Sequence, residues 1–213
     1  GNTPGITSIA PSARPAAAAD DAKDKEVVVA WSIWTGWMPF KIMEEEGFLE
    51  KRCKEFGVKI KLKEFKEYMA SVQAYTAGQV DGVTLTGMEA LQPASAGVKT
   101  VAVLPNDTSN GGDGILVRKG MKITDLKGKK VLLEQNSVSH YILHRALAMN
   151  NMSESDVTVV NMPGDEAGKA FLTDDTVPAV VTWNPHLFLA EGSGKGEVIF
   201  SSRDIPGEVI DLT

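Results

Sequence analysis

Short apolar, β-prone runs alternate with helix-like segments from residue 27 to the end of the chain, and no other feature constrains the fold as tightly. Residues 27–33 (VVVAWSI) are continuously apolar, the pattern of a strand buried on both faces. Pro39 follows a glycine-containing loop and suits the first position of a helix. That helix is predicted to run to about residue 46 and to resume across 48–56 until Gly57. Residues 59–65 (KIKLKEF) alternate apolar and charged side chains, as a half-exposed strand does. A helix over 69–77 stopped by Gly78, a strand over 83–86, a helix over 88–94 and a strand over 100–104 follow. Residues 105–114 (PNDTSNGGDG) are then a dense cluster of turn formers.

A second series begins after that cluster. Strands are predicted over 115–117 and 130–134, and Ser137 is a good N-cap for a helix through Asn150 with a stripe of Val138, Tyr141, Ile142, Ala146 and Met149. Ser153 and Asp156 open a capping turn before a strand over 157–161. A helix over 165–172, a strand over 179–182, a helix over 185–190 and a strand over 198–201 complete the series. This spacing implies βαβ units and parallel sheets. The expected fold is α/β, with two lobes of parallel-rich sheets flanked by helices: residues 27–108, residues 109–202, and a segment 203–213 returning towards the first lobe. Residues 1–26 are rich in Pro, Ala, Gly and Ser and show no period, so they are expected to be unordered, as an export or linker segment.

Charge and cysteine usage exclude several classes of function. The net charge is −6 with basic residues scattered, so no clustered basic stripe exists for a nucleic acid. No run approaches the roughly 18 apolar residues a membrane-spanning helix needs. Cys53 is the only cysteine, which leaves no intramolecular disulfide and no thiolate metal cluster. No P-loop, dinucleotide fingerprint or nucleophile elbow occurs, and no cofactor or metal is expected.

In open parallel sheets, ligands bind beyond the carboxyl ends of the strands. The residues there are Trp34 and Trp37 after the first strand, and Gly87, Met88 and Glu89 after the third. Glu134 to Ser137 and then Trp183 to His186 follow the later strands. Three of the four tryptophans fall in this set, and a tryptophan at a cleft offers a flat face for stacking or cation–π contact. Glu134, just before a helix N-terminus, serves either as a helix-end carboxylate or as the partner of a cationic ligand. His140, in the first turn of that helix, is a candidate donor. No Lys or Arg occupies the set, which favours a neutral or cationic small ligand over an anion.

At these residues the chain resembles a known family. The strings WSIWTGWMPF (31–40), YTAGQVDGVTLTGMEAL (75–91), SNGGDGILV (109–117), NSVSHYILHRAL (136–147), VVTWNP (180–185) and IPGEVIDL (205–212) resemble the substrate-binding proteins of ABC importers in the nitrate, sulfonate and taurine superfamily. They are most similar to the branch encoded beside urea carboxylase, whose cargo is urea or guanidine. The resemblance implies a bilobed periplasmic-binding-protein-like fold of the second type, a ligand closed between lobes, and an ABC permease of the inner membrane as partner. It places ligand contacts on Trp34, Trp37, Thr86, Met88, Glu134, Ser137, Trp183 and Asn184, and sets Asp211 on the returning segment, facing the cleft. Family members continue past the I-D-L segment, so the first lobe is expected to be incomplete here, with self-association through it. Two alternatives stand beside this reading: a binder of nitrate, sulfonate or taurine, and a thiamin-pyrimidine-synthase-like enzyme on the same fold. The lone Cys53 speaks against the enzyme.

Overall fold

The computed structural model describes residues 25–213. The unordered segment expected over residues 1–26 lies outside them, except for Lys25 and for Glu26, which begins the first strand. In chain order the first elements are β1 (Glu26–Ser32), α1 (Met38–Glu45), α2 (Phe48–Phe56), β2 (Lys59–Phe65), α3 (Tyr68–Thr76), β3 (Gly82–Val83), β4 (Leu85–Thr86), α4 (Leu91–Ser95) and β5 (Pro105–Thr108). There follow β6 (Asp113–Arg118), β7 (Lys130–Leu133), α5 (Val138–Met149), β8 (Thr158–Asn161), α6 (Gly164–Thr173), β9 (Ala179–Trp183), α7 (His186–Gly192), β10 (Gly196–Ser201) and β11 (Ile210–Leu212).

Three sheets result. In the first, β1 lies between β2 and β3 and is parallel to both. The second runs β10-β6-β9-β7-β8, with β7 parallel to β8 and β9. β6 runs antiparallel to β9 and β10, so this sheet is mixed rather than wholly parallel. The reason for its apolar runs is visible in the pleat. Ile115, Val117, Val131, Leu133, Ala179 and Val181 pack on one face against Val138, Ile142, Leu143, Ala146 and Leu147 of α5. Leu116, Leu132 and Val180 point the other way, against Ala167 and Phe171 of α6 and Leu187 and Ala190 of α7. A sheet covered by helices on both faces requires every position to be apolar, which erases the alternation of a half-exposed strand.

The third sheet, β4-β11-β5, departs from expectation. The strand expected over 100–104 carries no ladder; instead its exposed Val101 and Val103 leave only the end of the run tied, through Val103 and Leu104 N–H donors to the Thr213 carbonyl. Pro105–Thr108, composed entirely of turn formers, is the strand, because Asp107 and Thr108 find partners in Asp211 and Ile210 of β11. Tertiary pairing here overrides local propensity. The same strand β11 pairs on its other side with β4, Asp211 opposite Thr86.

Candidate ligand-binding site

The antiparallel register of the small third sheet sets Thr86, Asp211 and Asp107 side by side across three strands. Directly opposed residues project to one face, so this row presents two carboxyls and a hydroxyl together. The N–H of Trp34 donates to Asp211 Oδ2 at 3.0 Å. The carboxyl of Asp107 packs against Gly36, where any β-carbon would collide with it, so the glycine is required for close approach. Asp113, the first residue of β6, accepts from Ser109 Oγ at 2.5 Å. A hydroxyl has one proton, so Ser202, 2.8 Å away, must be the donor to Ser109, while Ser202 Oγ accepts from the Gly111 N–H at 2.7 Å. Every bond in this chain therefore points its proton towards Asp113.

Asp113 and Asp211, together with the ends of β1, β4 and β9, border a cavity of about 20 Å³. Its walls include Trp34, Trp37, Tyr68 and Trp183 on the aromatic side, and Ser32, Thr86, Asp113 and Asp211 on the polar side. Trp37 and Tyr68 sit with ring centroids 5.3 Å apart, and Trp183 meets Tyr68 edge-on at 6.4 Å. The ring of Trp183, the last residue of β9, thus packs into the aromatic cluster of the first sheet. Two donors on residues lining the cavity, Ser32 Oγ and Trp37 Nε1, are buried without a partner.

The electrostatics are one-sided. Burial pushes the Asp211 carboxyl up to about 9, reinforced by Asp107 beside it and by Asp113, and opposed by the Trp34 N–H. Burial likewise raises Asp113 to about 7 against the effect of its Ser109 bond. Glu89 is fully buried and raised by that burial; its Oε1 accepts from the Val138 N–H at 2.6 Å, and its Oε2 from Thr86 Oγ1. Among the described residues that border the cavity there is no Lys or Arg. Carboxyls buried without countercharge keep their protons until a cation replaces them.

A second cavity, of about 130 Å³, adjoins the first and shares Ser32, Ile33, Tyr68 and Trp183 with it. Glu134 lies here, not in the inner cavity. Burial raises it to about 7; the nearby Met69 N–H, in the first turn of α3, opposes that shift, while Glu89, Glu67 and Asp165 add to it. Glu89 thus reaches from the segment after β4 to the N-terminus of α5, while Glu134, at the end of β7, lies near that of α3.

Of the residues singled out from sequence, Trp34, Trp37, Thr86, Trp183 and Asp211 meet at the inner cavity. Ser137 is the buried N-cap of α5, accepting from the Ser139 N–H and donating to the Glu134 carbonyl. Met88 borders a separate open groove with Gln73 and Leu91. His140 is engaged outside the cavity, by Glu154 at 2.7 Å and by the Asn136 N–H. Asn184 Oδ1 accepts from the Phe188 N–H at the start of α7 and faces a different cavity, beside Arg203. Sequence reasoning passed over Asp107 and Asp113, hidden in the turn cluster, and over Tyr68 and Ser32. Glu89 was within the strand-end set, and its position three residues after Thr86 was the available signal.

The NMT1/THI5 like family model matches residues 54–209, most of the chain. The chain belongs to the NMT1/THI5-like family. A binding protein of Brucella abortus (strain 2308) is 28% identical over 145 residues, 68% of this NMT1/THI5-like chain and 43% of that protein. The chain therefore spans less than half the length of that relative. Its fold is that of the alkanesulfonate-binding protein of Xanthomonas axonopodis pv. citri, with a TM-score of 0.76 at 21% identity, covering 95% of this chain and 66% of the other. The periplasmic aliphatic sulphonate-binding protein of Escherichia coli superposes with a TM-score of 0.74 at 23% identity, over 89% of this chain and 65% of the other. These likenesses place the NMT1/THI5-like chain in the periplasmic-binding-protein-like α/β fold.

Proposed function

We propose that this chain captures a small, planar, nitrogen-rich solute, guanidinium foremost, between its two sheet-based halves, as the solute-binding component of an ABC importer. The observation that carries the reading is the convergence of Asp113 and Asp211 on an aromatic cavity bordered, among the described residues, by no Lys or Arg, with Asp107 set beside Asp211. A planar cation takes a carboxylate along its N–H edge and an aromatic ring against its face. Sulfonate, the ligand named for both structural neighbours, would meet carboxyls here instead of counter-charges. The family name admits an enzyme, but Cys53, the only cysteine, lies on α2 and does not border the cavity, which supports capture without turnover. The likeness to periplasmic solute-binding proteins supports delivery to a membrane permease from the periplasm.

One observation favours urea as a second reading. Ser32 Oγ and Trp37 Nε1 are unpartnered donors, and urea, unlike guanidinium, brings a carbonyl to accept from them.

Calorimetry and thermal-shift measurements at low salt, with guanidinium kept from micromolar to low millimolar, test these readings against urea, nitrate and taurine. Saturable binding of guanidinium alone supports the cation, and binding of urea alone supports the second reading. A preference for nitrate or taurine overturns both.

A further inference from the structure

The outer cavity has six times the space of the inner one and is not explained by a solute of a few atoms. Four residues, Ser32, Ile33, Tyr68 and Trp183, wall both spaces, which sets the two cavities next to each other. Glu134 lines the outer one. Its side chain is 7% exposed, and its Oε2 is buried without any hydrogen-bond partner. A buried carboxylate oxygen left unpaired is costly, and such an atom in a native structure calls for a partner or a role. The surrounding charge has the same sense: Glu67 and Asp165 also face the outer cavity, against Lys66 and His186. Asp165 is already engaged by Lys169 at 2.7 Å, which leaves Glu134 as the acceptor in want of a donor.

We infer that the two cavities are subsites of one elongated site, and that its ligand is a guanidinium bearing an aminoalkyl arm, with the planar group in the inner cavity and the terminal ammonium on Glu134. This rests on the proposed reading of the inner cavity as a guanidinium site and assigns the outer one. Pro163, Trp183 and Tyr68 supply the apolar walls along which methylene groups would lie.

The test is calorimetric titration of the purified chain with guanidinium, with guanidines carrying aminoalkyl arms of two to five carbons, and with the matching hydroxyalkyl guanidines. At least one amino-armed probe is expected to bind ten-fold or more tightly than guanidinium and than its hydroxy counterpart. In Glu134→Gln that advantage should fall to within about three-fold, the loss of a charge-assisted bond. If guanidinium binds but no arm improves on it, the second subsite is refuted while the small-cation reading stands. If armed probes bind and guanidinium does not, the elongated site is supported and the small-solute reading is replaced. An equal gain from amino and hydroxy arms in the unaltered chain refutes the role of Glu134 without recourse to a variant, and binding of none of the probes refutes both readings.

Discussion

Replacing Asp113 by Asn separates what this carboxyl does for stability from what it does for a ligand. Asp113 is almost wholly buried, and its carboxyl is raised from 3.8 to about 7 by burial. The folded chain thus keeps this proton up to about pH 7, whereas the unfolded chain releases it near pH 4. Between those values the unfolded state gains progressively, and the stability present below pH 4 is lost as pH rises through the folded value. Three units of difference correspond to about 4 kcal/mol at most, at 1.36 kcal/mol per unit. The Asn variant keeps an acceptor for Ser109 Oγ but has no proton to lose. Measured by urea or thermal unfolding at pH 4 and pH 8, the stability of the variant relative to the unaltered chain should improve by about 2–4 kcal/mol towards the higher pH. For a domain of this size that is on the order of 10 °C in melting temperature. Affinity for guanidinium should fall at least about ten-fold in the same variant, since a bond to a charged acceptor contributes about 1.5–3 kcal/mol. A stability difference that is flat across pH, or that moves the other way, would refute the claim that Asp113 is a carboxyl buried without countercharge.

Trp34→Phe removes the N–H that donates to Asp211, and should lower stability by about 1–2 kcal/mol in chemical denaturation and weaken guanidinium binding in calorimetry. Gly164→Ala puts a β-carbon into the ring of Trp183, so a loss of about 1–3 kcal/mol and a shifted tryptophan emission are expected; native emission and stability would show that the ring has room. Asn184→Ala frees the Phe188 N–H at the start of α7, costing about 1 kcal/mol in unfolding experiments while ligand affinity stays within two-fold. His140→Ala, which breaks only the contacts to Glu154 and Asn136, should leave affinity within two-fold by titration, and a ten-fold loss would place this histidine at the ligand after all.

The two alternating series were readable because the central strands of the five-stranded sheet carry unbroken apolar runs, at 115–117, 131–133 and 179–181, and because Ser137, Pro39 and Gly57 mark helix ends by local chemistry. The aromatic half of the site was readable for a related reason. Trp34, Trp37 and Trp183 follow strands, and strand ends converge. The acidic half was not, because it depends on which strands pair. Asp107 looks like a turn residue until β11 lies beside it, and Asp113 looks like one until its run proves to be the start of β6. Glu134 drew attention as a strand-end carboxylate, yet the path of β7 delivers it to the outer cavity and the N-terminus of α3. No local pattern carries that information, since it arises only when the two sheets are set against each other.

The hydrogen bonds across the cleft have a mechanical consequence. Glu89 Oε1 accepts from the Val138 N–H at 2.6 Å and Gln92 Nε2 donates to the Asn136 carbonyl at 2.9 Å, so both run from the short segment after β4 to the start of α5. Two bonds set close together along one edge act as a hinge pin: they resist sliding of that edge and leave rotation about it.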